Sequence, residues 1–169
     1  MDVESAIRLR RTHKQFGREA VDEATVRDLL DLARFAPNHK LTQPWRFRLL
    51  GPETRERLND VVGEKEAMKL GRAPTLILAT AALSGDPQTD EEDLHATAAA
   101  VYAVLLAATA RGLASYWRTP AAFGEQKVRD LLGLAAGERV VSLIHLGAAV
   151  SAPPEKERLP LDEVLRLLP

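Results

Sequence analysis

Residues 96–110 read ATAAAVYAVLLAATA, and the reading of this run decides what kind of molecule the chain makes. A membrane-spanning helix needs about 20 predominantly apolar residues; this run is shorter and mostly alanine. It predicts a fully buried helix of a globular protein. Small side chains let other backbones come close, so the helix belongs at the centre of the fold or in a subunit interface. The preceding SGDPQTDEED is polar and turn-rich, its acids suit the N-terminus of that helix, and Gly112 ends it.

Outward from this helix the pattern alternates. Pro74 introduces TLILATAAL, a continuous apolar run that reads as a central strand, as does VVSLIHL at 140–146. Shorter strands are predicted over Arg46–Leu50, where Phe47 and Leu49 alternate with arginines, and over Leu113–Trp117. Helices are predicted over Val3–Leu9 behind Asp2, and behind Asp22 with Val26, Leu29, Leu30, Ala33 and Ala36 at helical spacing. Others follow from Pro52 to about Val62 and from Gly124 to Leu132, and a proline-containing arm closes with a helix from Leu161. With no repeat and no linker, this is one domain over residues 1–169, an α/β sandwich with a single layer of sheet.

Composition narrows the chemistry. The chain has 169 residues, 46% hydrophobic and 28% charged, with a formal net charge of -1, which is globular and lacks the positive balance of a nucleic-acid binder. The absence of cysteine removes disulfides, thiolate nucleophiles and zinc-thiolate sites. MDVESAIRLRR does not read as a secretory signal, so a cytoplasmic location is expected. No G-x-S-x-G elbow, Walker loop, G-x-G-x-x-G or H-E-x-x-H occurs. Asp93 and His95 alone have close metal-ligand spacing and read better as helix capping, so no metal is expected.

Four segments could carry chemistry. Arg10, Arg11, Thr12 and Lys14 offer the guanidinium forks, hydroxyl and ammonium that a phosphate needs, or else form a solvated basic end to the first helix. APNHKLTQPW, residues 36–45, presents His39 and Lys40 in a loop between a helix and a strand, with Trp45 as a core or rim aromatic. Trp117-Arg118-Thr119-Pro120 is an irregular strand end. Lys156 and Arg158 form a further basic pair in the tail.

Arg10-Arg11-Thr12 before Phe16, Ala36-Pro37 to Gln43-Pro44-Trp45, and Gly112-Leu113 to Trp117 occur in the order and spacing of the FMN-dependent nitroreductases, which this chain resembles over nearly its whole length. The resemblance extends to the short branch of NAD(P)H nitroreductases through the His-Lys pair, Trp-Arg-Thr and the Arg158–Val164 tail. It implies an α+β fold with a central mixed, mostly antiparallel sheet, and a homodimer with FMN at the subunit interface. Arg10, Arg11 and Thr12 would hold the flavin phosphate and ribityl chain, with Lys14 joining them and Arg158 approaching the phosphate. Trp117, Arg118 and Thr119 would meet the same cofactor, His39 would reach it from the partner subunit, and Arg118 or a backbone amide would stabilise reduced flavin. Leu41 stands where larger members carry an asparagine that contacts the ring. The chain is also short between Val62 and Arg72, which implies an open substrate pocket.

The implied activity is a two-step hydride transfer from NADH or NADPH through flavin to nitroaromatic or quinone-like acceptors, with no side chain acting as acid or base. Other flavin reactions of the family, dehalogenation, flavin fragmentation and ring oxidation, form one alternative. A non-catalytic dimeric flavin-binding or sensor protein is another.

Overall fold

A computed structural model describes residues 1–169. In chain order the elements are α1 (Val3–Leu9), α2 (Glu23–Ala33), β1 (Trp45–Leu49), α3 (Pro52–Val62), α4 (Glu64–Leu70), β2 (Thr75–Ala82), α5 (Pro87–Ala110), β3 (Leu113–Arg118), α6 (Gln126–Leu131), β4 (Glu138–Ala148) and α7 (Leu161–Val164). Local chemistry sets the helix starts. Asp2, Asp22 and Asp86 each accept a hydrogen bond from the backbone amide three residues on, at 2.8, 2.8 and 2.9 Å, satisfying a donor that has no partner within the helix.

The four strands form one sheet in the order β1-β2-β4-β3 with every neighbour antiparallel. The sheet is less mixed than the sequence suggests: the one parallel pairing is an isolated bridge between Thr12 and Ser115. Side chains alternate between its faces. Ile77, Ala79, Ile144 and Leu146 enter one apolar cluster with Val26 and Leu29 of α2 and Ala100, Val101 and Val104 of α5. Leu76, Leu78 and Leu143 enter a second cluster with Leu58 of α3, Leu70 of α4 and Val128 of α6. β2 and β4 therefore have both faces covered, which is why they read as continuous apolar runs.

Three expectations are corrected. α5 is not fully buried: its Ala96–Ala108 side packs into the core, while Tyr102 on another face is 39% exposed. It also starts earlier, at Pro87, so the acidic segment is its first two turns rather than a turn before it. The short segment after Val62 is not bare, because EKEAMKL forms α4 and buries Leu70. Its helix-forming composition was the available signal.

Candidate functional site

The chain leaving α1 runs along the outer edge of β3. The His13 amide donates to the Ser115 carbonyl at 3.0 Å and the Gly17 amide to Ala148 at 2.9 Å. A Cβ on Gly17 would meet the Ala148 Cβ at 3.1 Å, so glycine permits this close approach. The chain leaving β4 returns to the same place. Between the two lies a cleft of about 570 Å³, lined by residues 10–15 on one side and by Ser151, Pro153, Pro154, Lys156 and Arg158 on the other.

Arg10, Arg11, Lys14, Lys156 and Arg158 put five cationic side chains into this lining, with the Thr12 hydroxyl among them and no carboxylate. Glu155 stands just outside, 3.3 Å from Arg11 Nη2 and 85% exposed. Arg11 Nη1 also donates to the carbonyls of Arg8 and Arg10, and Arg158 Nη1 to those of Lys156 and Glu157. Partial burial, above all, lowers the pKa of His13 and so disfavours a further positive charge there. Repulsion among such cations is relieved by an anion that accepts from several at once. His13, Gln15 and Ser151 were not foreseen as lining residues. Only their sequence proximity to the basic residues could have pointed to them.

His39 lies elsewhere in the chain, in a second concavity with Pro37, Asn38, Glu92 and His95. The loop carrying it contains one 3₁₀ turn, His39–Leu41, where no helical turn was expected. Trp45 is 7% exposed and joins the core, as a buried aromatic at the start of β1.

Trp117 and Arg118 point to opposite faces of the sheet. Trp117 packs against the α2/α5 cluster. Arg118 Nη2 donates to Glu66 Oε1 of α4 at 2.7 Å, with 9% and 14% of the two side chains exposed. Glu66 thus occupies one arm of the Arg118 guanidinium, and Arg118 does not line the basic cleft. Its buried Nη1 has no hydrogen-bond partner. Thr119 is exposed, with its hydroxyl 3.3 Å from the Val141 carbonyl.

His145, paired with Tyr116 across β3 and β4, is 0% exposed and has no hydrogen-bond partner on either ring nitrogen. The rings of Tyr116 and Phe16 stand 5.7 and 6.4 Å away. Burial, then the charges of Arg118, Arg55 and Arg72, push its pKa down to about 3, so it is neutral. Neither Glu66 nor His145 was visible as special in the sequence, because Arg118 beside the one and the rings that enclose the other lie on distant segments.

The donor set of the cleft fits a phosphate dianion: several guanidinium and ammonium groups and a hydroxyl converge there without a competing carboxylate in the lining. Residues 7–148 match the model of the Nitroreductase family. The Bacillus subtilis protein named "Putative NAD(P)H nitroreductase YfhC" is 29% identical over 171 residues, covering 92% of this chain and 88% of that one. A nitroreductase-like family protein from Bacillus cereus superposes with a TM-score of 0.91 at 28% identity, covering 99% of this chain and 96% of the other. A Desulfovibrio desulfuricans protein solved in complex with FMN superposes with a TM-score of 0.81 at 26% identity, covering 99% and 96%.

Proposed function

The chain belongs to the nitroreductase family, and from that premise we propose that it is an FMN-dependent NAD(P)H oxidoreductase built as one domain over residues 1–169. The observation that carries this reading is the meeting of Arg10, Arg11, Thr12 and Lys14 from one end of the chain with Lys156 and Arg158 from the other in a single cleft. Bound FMN would supply the redox chemistry there, two electrons taken as hydride from NADH or NADPH and handed to a nitroaromatic or quinone-like acceptor.

The residues of the chain do the holding and placing. Arg10, Lys14, Lys156 and Arg158 neutralise the phosphate, and the Thr12 hydroxyl donates to it or to the ribityl chain. Arg11, tied to two carbonyls and paired with Glu155, adds its charge from a more fixed position. Trp117 and Thr119 lie at the end of β3, whose Ser115 is stitched to Thr12, so they stand on the same edge of the sheet as Arg10, Arg11 and Thr12. Such fixed positions are what hydride transfer requires of the protein. A homodimer, in which His39 serves the cofactor of the other subunit, is supported by the separation of His39 from the cleft and by the partly exposed face of α5. A cytoplasmic location accords with α5, which packs in the domain core along one side.

Titration of FMN with the purified protein, followed by flavin fluorescence, tests the assignment. Arg10→Ala with Arg11→Ala should weaken FMN binding at least tenfold, each charge-assisted contact being worth about 1.5–3 kcal/mol, and should leave riboflavin binding nearly unchanged. Equal FMN affinity in wild type and double variant removes the phosphate role. Anaerobic reduction of bound flavin by NADH or NADPH then separates this activity from the other flavin reactions of the family.

A further inference from the structure

By its spacing alone Asp93 reads as a helix cap. The structure gives that task to Asp86. Asp93 lies in the second turn of α5, 4% exposed, and Thr42 Oγ1 donates to its Oδ1 at 2.6 Å across 51 positions of sequence. The neighbouring Thr97 hydroxyl turns to the Asp93 main-chain carbonyl at 2.8 Å, not to its carboxylate. A buried carboxylate is a demanding choice for a contact that only has to fill space.

The segment that Thr42 belongs to is under backbone strain. Lys40, Leu41 and Gln43 have φ of 51°, 53° and 46°, the left-handed region that side chains with a Cβ disfavour. Strained residues of this kind persist only where their surroundings over-determine them. Here the fastenings are identifiable. Asn38 Oδ1 accepts from the Gln43 amide at 2.9 Å and Asn38 Nδ2 donates to the Ala36 carbonyl at 3.2 Å, while the Ala82 amide donates to Pro44 at 2.8 Å. Thr42 to Asp93 is the one side-chain bond that ties the loop to α5. Between the fastenings the tip is free of the core, and Leu41 is 75% exposed.

We propose that Asp93 is a positioning residue: through Thr42 it latches the 38–43 loop in its strained form, so that the exposed His39, Lys40 and Leu41 are held, preorganised, at the surface beside α5. The latch stands on the geometry alone. That the tip then serves bound FMN rests on the proposed function.

Hydrogen exchange read by mass spectrometry tests the latch, and visible circular dichroism of FMN added to the protein tests its purpose. Thr42→Val should speed exchange of peptides spanning 38–44 at least tenfold while peptides of β2 and β4 keep wild-type rates. Thr42→Ser, which keeps the hydroxyl, should restore both the exchange and the dichroic band. Asp93→Ala, for use if Thr42→Val does not fold, should behave as Thr42→Val does. Wild-type exchange in the loop, or acceleration spread equally over β2 and β4, overturns the latch. A loosened loop with an unaltered dichroic band and unaltered FMN affinity overturns the positioning role. If wild-type protein binds no FMN, the proposed function fails, and the exchange result still decides the latch.

Discussion

Arg10 and Arg118 each stand at the end of a regular element, one capping α1 and the other closing β3, yet they have opposite surroundings. Arg10 faces a cleft of like charges with no carboxylate in its lining. Arg118 is withdrawn from water and answered by Glu66 at 2.7 Å. A solvated cation tolerates the lack of a protein partner and remains available to an anion, whereas a buried one requires a counter-charge from within the chain. The basic cleft thus leaves its cations open to an anion, and the α4–β3 pair ties one arm of Arg118 to its own chain.

Removal of the tie should have the largest effect. Glu66→Ala leaves the Arg118 charge buried and uncompensated, and urea unfolding should show a loss of about 3–5 kcal/mol. A loss under 1 kcal/mol would mean that Arg118 is solvated after all and would bring the two arginines closer in kind.

The pH dependence of stability sharpens the contrast from the other side. His145 is held neutral in the fold with a pKa of about 3, while the unfolded chain takes up its proton near 6.5. The unfolded state binds the extra proton in this window, so stability falls as pH drops from 6.5 towards 3, by about 2 kcal/mol at pH 5. His145→Leu should flatten the stability curve between pH 6.5 and 5. Glu138, lowered from 4.5 to about 2 chiefly by its hydrogen bonds from Arg48, adds a separate loss only below 4.5.

The smallest effect belongs to the rim of the cleft. Glu155 is the one carboxylate paired with a cleft residue, and an exposed pair is worth at most about 1 kcal/mol. Glu155→Gln should raise FMN affinity by no more than about fivefold at low salt, with no change for riboflavin, when both are followed by fluorescence titration. A decrease would show that Glu155 organises Arg11 rather than competing with the phosphate.

Much of the fold was legible. Apolar runs long enough for covered strands, aspartates three residues ahead of an amide needing a partner, and prolines at helix starts are local signals, and the strands and most helices fall where these place them. α4 was missed because its signal is propensity alone, without a capping aspartate or a strong apolar stripe. In the site, Arg10, Arg11, Thr12, Lys14 and Arg158 were named from the sequence and do meet in one cleft. The bond from Arg118 to Glu66 was not legible, since nothing local to residue 118 says which segment will lie above it.

By itself the sequence determined the periodicities, the helix starts, the absence of thiol chemistry and the presence of basic residues at both ends of the chain. All of these depend on neighbours a few positions away. The antiparallel order β1-β2-β4-β3, the meeting of residues 10–15 with 151–158, the burial of His145 and the reach of Thr42 to Asp93 were decided by tertiary structure. Each depends on which distant segments pack together. Solvent exposure and counter-charges, which set the role of an arginine or a histidine, exist only once that packing is made.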